Sequence, residues 1–266
     1  MLPGLLDVSR RRKRRWALIK ISSWTLLVIL SAAAGISFFY IPSLRVGAIS
    51  FQGLESLNEA ALAQEISGIL SRKYFWLFPK NNVVFLPREE ISALLERTLR
   101  IGEFAIKTSL PSKLEIQIKE RKPWAVWCRE EGETISACAL SDKNGFVFAA
   151  APIFSGSAVL KILDQRGRDY FGENFMEPEK FHEINSFAER LEKRLGEEVF
   201  AMELKDNGEF RLVLKSGWYA ILDFETDLGR AFDNLVLSLD NLGNSGQKLE
   251  YVDLRFPDKV FYRLKN

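Results

Sequence analysis

The chain has 266 residues, 47% of them hydrophobic and 12% aromatic, which is enough apolar material for one large or two small cores and excludes a broadly disordered protein. Its formal charge of +2 is uneven: of 37 basic and 35 acidic residues, seven and one (Asp7) lie within residues 1–41, so the remainder is net −4. The basic pI therefore belongs to the N-terminal tail, and an acidic body of this kind excludes a nucleic-acid-binding role for the bulk of the chain.

From Ile21 to Tyr40 the sequence runs 20 residues without a charge, and Trp16 to Ile19 extends the stretch upstream. A helix of that length spans roughly 30 Å, the thickness of a hydrocarbon core. Lys20 lies near one end, where its stem can reach the headgroups, while Trp16, Trp24 and Tyr40 suit the two interfaces. The run Arg10, Arg11, Arg12, Lys13, Arg14, Arg15 directly precedes the helix, and a positive flank of this kind stays cytoplasmic. Ser31 to Gly35 is also the type of small-residue stretch that ends a cleaved leader, but the apolar run continues through Ile36–Ile41, which favours an anchor. The expected organisation is a basic cytoplasmic tail over 1–15, a transmembrane helix over 16–41 ended by Pro42, and the rest outside the membrane.

Past the helix, Leu44 to Phe51 reads as a strand, and Asn58 is placed to cap a helix carrying Leu62, Ile66, Ile69 and Leu70. An aromatic loop follows, Tyr74-Phe75-Trp76-Leu77-Phe78-Pro79, for which core packing is preferred over a partner-binding or membrane-facing patch. Pro87 opens a second helix through Leu99, with Ile91, Leu94 and Leu95 inward. Phe104–Ser109 and Lys113–Glu120 form a hairpin across Leu110-Pro111-Ser112, its second arm alternating Leu114, Ile116 and Ile118 with polar residues. The order is β-α-α-β-β.

Beyond this first segment, Trp124–Arg129 and Ile135–Leu140 read as strands around Glu131-Gly132-Glu133. A turn at Asp142–Gly145 and a strand over Phe146–Ala149 follow. Pro178 to Leu195 has one apolar stripe (Phe181, Ile184, Phe187, Leu191, Leu195) with Gly196 as its stop. Three strands, Val199–Lys205, Phe210–Lys215 and Tyr219–Phe224, precede a helix over about 227–242. Leu249–Phe256 and Val260–Leu264 close the chain around Pro257-Asp258.

Four motifs in this order resemble the FtsQ/DivIB family of bacterial division proteins. Val46–Gly53 resembles the strand and turn that open its POTRA domain, Leu110–Ile116 the hairpin, and Lys119–Trp127 the E-R-x-P-x-A-x-W exit. Tyr251-Val252-Asp253-Leu254-Arg255-Phe256 resembles the i-D-L-R-y signature ending its β-domain, and is the most specific of the set. Asn81–Pro87 departs from the aspartate-containing stretch usual between the helices.

The resemblance implies an α+β fold: a single transmembrane helix, a POTRA domain over 42–121, and a mainly antiparallel β-domain with flanking helices over 122–266. It implies a non-enzymatic divisome scaffold in the bacterial cytoplasmic membrane. Its partners would be single-pass coiled-coil proteins of FtsB/FtsL type, bound by β-strand addition at the C-terminal edge. The partner-binding residues carried over are Tyr251, Arg255 and Phe256 within the motif, with Phe261 and Tyr262 added from their position in the last strand. Alternation places Val252 and Leu254 in the core, on the face opposite Tyr251, Asp253 and Arg255.

No catalytic, cofactor-binding or metal-binding residue is expected, nor a small-molecule substrate or nucleic acid. The only histidine, His182, stands on a helix with no second histidine, and no nucleotide-binding or nucleophile-elbow motif occurs. The rival readings are a POTRA-bearing component of a secretion or outer-membrane assembly system, and a membrane-anchored cell-wall enzyme. Cys128 and Cys138 fall about opposite each other across the first hairpin of the second unit, as a disulfide or as two separately buried thiols.

Overall fold

The computed structural model describes residues 5–75, 77–109, 112–132, 134–153, 159–243 and 249–265, with side chains from Trp16 onward. The side chains of Arg10, Arg11, Arg12, Lys13, Arg14 and Arg15, and all of Trp76, Leu110, Pro111 and Glu133, lie outside the described residues. The protein is α+β, and its packing divides it into two compact units, Met1–Glu120 and Arg121–Asn266.

Helix α1 covers Leu5–Phe39, so it begins inside the basic tail rather than at residue 16. Its Trp16–Phe39 portion, 24 residues, is long and apolar enough to cross a membrane. The helix stops two residues before the expected Ile41. Ile41 precedes Pro42, whose ring drives the preceding residue to extended backbone, and Ile41 has φ −61° and ψ 119°. Pro42–Leu44 then makes a short 3-10 turn, so the first strand starts at Ala48 and not at Leu44.

The rest of the first unit is β1 (Ala48–Gln52), α2 (Glu59–Leu70), β2 (Lys73–Tyr74), β3 (Phe78–Pro79), α3 (Arg88–Arg97), β4 (Ile101–Ser109) and β5 (Lys113–Glu120). Strand β5 is central, with β1 parallel on one side and β4 antiparallel on the other. The period-two pattern of β5 buries Leu114, Ile116 and Ile118 against Leu62, Ile66 and Leu70 of α2 and Ile91 and Leu95 of α3. Asn58 caps α2 by accepting the Ala61 N–H at 3.1 Å. Gly53 has φ +85°, and a Cβ there would run into the Ile118 carbonyl, so the turn after β1 requires glycine.

Glu120, at the end of β5, is buried and accepts the backbone N–H groups of Glu55, Ser56 and Leu57 at 2.7–3.1 Å, together with the Ser56 hydroxyl. Burial alone raises this carboxyl. The Ser56 hydroxyl and the Leu57, Glu55 and Ser56 N–H groups outweigh burial and bring it from 4.5 down to about 2. Folding thus favours the carboxylate. Its contribution is present above the unfolded value of 4.5 and is lost as the pH falls from there towards about 2. We expect Glu120→Gln to weaken hydrogen-exchange protection of the Glu55–Leu57 amides at neutral pH by on the order of 2 kcal/mol, with the gap to the parent closing across that acid window. Equal protection of the two chains at neutral pH would remove Glu120 as the clamp.

The second unit contains β6 (Ala125–Glu131), β7 (Thr134–Ser141), β8 (Val147–Ala151), β9 (Leu160–Asp164), α4 (Pro178–Leu195), β10 (Val199–Leu204), β11 (Glu209–Leu214), β12 (Tyr219–Asp223), α5 (Leu228–Leu242), β13 (Leu249–Asp253) and β14 (Phe261–Leu264). They form one nine-stranded sheet in the order β14-β13-β12-β11-β10-β9-β6-β7-β8. The sheet is mainly antiparallel, as expected, with three parallel pairs set into it, β6–β9, β9–β10 and β12–β13. The helices are the reason for two of these pairs. Each of α4 and α5 carries the chain back across the sheet, so the strands it joins run the same way.

Pro178 opens α4 and Gly196 closes it in the left-handed conformation, φ +70°. Asp227 caps α5 by accepting the Gly229 and Arg230 N–H groups. The two helices meet through Phe187 and Phe232, edge to face at 5.7 Å, and bury one face of the sheet. A smaller apolar cluster, Val126, Cys128 and Cys138, is separate from that core. Cys128 and Cys138 are register partners with Cα atoms 4.1 Å apart, and the disulfide is formed. Closing so short a loop adds about 2–3 kcal/mol in the chain-entropy model.

Candidate partner-binding edge

Strand β14 is the terminal strand of the nine, paired on one side only, antiparallel to β13. A strand in that position turns alternate N–H and C=O groups outward without partners from its own sheet. All four of its residues, Phe261, Tyr262, Arg263 and Leu264, are exposed. The preceding turn adds Phe256, 45% exposed, whose ring meets Phe261 edge to face at 5.2 Å. Natural sheets usually protect a free edge with charge or proline, but here aromatic residues occupy it, with Pro257, Lys259, Arg263 and Lys265 around them.

The turn is held from below. Asn234 of α5 donates to the Pro257 carbonyl at 2.9 Å, and Val252 and Leu254 are buried in the core of the unit. A 250 Å³ cleft lies beside the turn, lined by Asp223, Arg230, Asn234, Arg255 and Phe256 among others. The expected site residues thus fall into two groups. Phe256, Phe261 and Tyr262 are open to a partner, whereas Tyr251 and Arg255 are half-buried and engaged within the protein.

Arg255 donates from Nε and Nη2 to Asp253 at 2.9 and 2.6 Å, and from Nη1 to Glu209 at 3.1 Å. The Asp253 hydrogen bonds raise its pKa above the ordinary value; burial opposes this, and the charges of Asp253, Glu209 and Asp223 add to it. Asp253 is itself buried although alternation sets it on the face opposite Val252 and Leu254. The arginine two residues on folds back over it and removes it from water. Tyr251 stacks on Tyr219 of β12 at 5.6 Å, and the Arg211 guanidinium lies over Tyr219 at 5.2 Å. Arg255 and Tyr251 therefore stiffen the sheet beside its edge. The exposed Leu264 belongs to the same edge, and sequence reasoning missed it because four residues exposed on both faces show no alternation to read.

No protein-family model matches this chain, and no curated protein matches it.

His182 is exposed on α4, with its Nε2 3.1 Å from Asn144 Oδ1. Among the described residues no group of three or more His, Cys, Asp or Glu side chains is gathered as metal ligands would be. The geometry on offer is an open strand edge with an aromatic surface, suited to accepting another strand or an apolar helix.

Proposed function

We propose that the chain is a membrane-anchored, non-enzymatic scaffold of the bacterial divisome, of FtsQ/DivIB type, that receives single-pass coiled-coil partners of FtsB/FtsL type at β14. The observation that carries this reading is the terminal strand, paired on one side only and exposed at every residue, with Phe256, Phe261 and Tyr262 on its surface. Backbone pairing along it would supply affinity, and the aromatic side chains would supply selectivity. In this reading the first unit is a POTRA domain, its β-α-α-β-β order carrying a short β2–β3 hairpin between the helices. Helix α1 crosses the cytoplasmic membrane with its basic end inside, and the chain from residue 42 onward stands outside. The ordered resemblance in Val46–Gly53, Leu110–Ile116, Lys119–Trp127 and Tyr251–Phe256 supports the assignment.

The test is site-specific photocrosslinking in bacterial membranes, with a photoreactive phenylalanine analogue at Tyr262 and, for comparison, at Ala150 on the opposite terminal strand β8. The expected result is a crosslink at Tyr262 to small single-pass proteins with a heptad-patterned extracytoplasmic segment, and none at Ala150. Crosslinks to such proteins from Ala150 alone would move the interface to the other edge. Their absence from both positions would overturn the scaffold reading.

A further inference from the structure

Two residues of the aromatic loop of the first unit, Phe75 and Leu77, stand outside the core. Residues Tyr74 and Phe78 pair across β2 and β3, leaving a tip of three residues. At its start Phe75 is 90% exposed and has φ +46°, a backbone region that a bulky side chain seldom occupies. Leu77 beside it and Val84 and Phe85 in the next turn are exposed as well. The preferred expectation of core packing is corrected for Phe75 and Leu77, while Tyr74 and Phe78 are half-buried and Trp76 lies outside the described residues.

These residues are continuous with the end of α1. The Phe39 ring lies 4.7 Å from Phe78 and stacks on Phe85 at 4.5 Å, and the Tyr40 hydroxyl donates to the Leu77 carbonyl at 2.6 Å. Asn82 shapes the neighbouring turn by accepting the Val84 N–H at 2.9 Å, and Val83 N–H binds the Leu44 carbonyl at 2.8 Å. The hairpin and the turn are thus fastened to the last residues of the apolar helix. Whatever covers the helix as far as Phe39 reaches them. The hairpin also carries exposed Arg72 and Lys73, cations of the kind that sit among anionic headgroups.

We infer that Phe75, Leu77, Val84 and Phe85 form a lipid-facing foot that inserts into the bilayer interface and seats the first unit against the membrane. The inference rests on α1 spanning that bilayer. Aromatic and aliphatic rings at the headgroup boundary gain by leaving water, and the strained Phe75 backbone is what aims its ring outward. A second pivot beside the helix end would restrict how the unit swings about α1.

The test uses the full chain reconstituted in liposomes of phosphatidylcholine and phosphatidylglycerol. Because Cys128 and Cys138 are bonded, a single introduced cysteine can carry an environment-sensitive fluorophore. Labels at Phe75→Cys and Val84→Cys are compared with Leu27→Cys within the helix and with Lys119→Cys, exposed at the end of β5 away from the Gly47–Ser112 contact. Quenching by lipids spin-labelled near the headgroup is expected to be several-fold stronger at 75 and 84 than at 119, with iodide access reduced in proportion. Labels at 75 and 84 that behave like the label at 119, while Leu27 remains quenched from the acyl chains, would overturn the foot and leave the span intact. Iodide access at Leu27 would overturn the span and the foot together. Protection at 75 that needs a high protein-to-lipid ratio and shows no lipid quenching would assign the patch to a second copy and overturn lipid as the occupant.

Discussion

Asp164→Ala is expected to destabilise the second unit by about 3–5 kcal/mol, because it leaves a partly buried arginine without its counter-ion. Asp164 is 1% exposed at the end of β9 and accepts from four nitrogen donors. Trp127 Nε1 donates to it at 2.9 Å, the Arg166 guanidinium at 2.9 and 2.6 Å, and the Arg166 backbone N–H at 3.0 Å. Arg166 also donates to the Phe175 carbonyl at 2.7 Å and lies over the Tyr170 ring, which meets Trp127 edge to face. Burial pulls the pKa of Arg166 down, but Asp164 more than restores it, so the guanidinium keeps its charge. Removing one member forfeits that compensation and orphans the indole N–H as well. Urea unfolding of the full chain in micelles, followed by tryptophan emission, measures the loss. A change under about 1 kcal/mol would show that water replaces the carboxylate without cost. The double substitution Asp164→Leu with Arg166→Met should recover much of the stability, since a buried pair replaced by packed apolar groups is often neutral.

If β14 is the docking edge proposed above, Tyr262→Lys and Phe256→Lys are each expected to lower capture of the proposed single-pass partners at least about tenfold without affecting the fold. Both side chains are exposed, at 49% and 45%, so neither substitution opens a cavity. Exposed aromatics at an interface centre are the residue type that dominates affinity, each worth about 2 kcal/mol or more. Lysine also places a charge where the partner's apolar side chains would settle, the device natural sheets use to keep edges single. Co-purification from membranes, quantified against the parent, reads the effect, with retention of the Cys128–Cys138 bond as a check on folding. Unchanged capture in both variants would move the docking surface away from β14. Arg255→Lys makes a contrasting control. Its two-pronged bond to Asp253 is internal, so its loss should act on local stability rather than on the aromatic surface.

Much of this fold is legible in local pattern. The stripe of α4 and its Pro178 and Gly196 ends are one-dimensional signals, as are the Asn58 cap and the alternation in Lys113–Glu120. Each depends on neighbours within a few residues, and each is where the pattern puts it. The pairing of Cys128 with Cys138 is nearly as local, because one hairpin sets the register. Strand β9 was not legible. Its Leu-Lys-Ile-Leu-Asp stretch lacks alternation, having parallel neighbours on both sides, and nothing nearby announces the crossovers that place it there. The short β2–β3 hairpin was hidden for the opposite reason, since four strand residues carry almost no periodicity.

The candidate edge divides along the same line. The sequence by itself determined an apolar helix with a basic flank, two successive runs of strands and helices, and the aromatic composition of the last strand. Periodicity, capping chemistry and charge are properties of short stretches, so they survive without knowledge of the fold. Only the tertiary structure decided that β14 is terminal in its sheet, that Arg255 and Asp253 face each other rather than a partner, and that Phe75 stands in the open beside the end of α1. Exposure of an edge or a ring is set by which distant segments pack elsewhere, and that information is spread over the whole chain.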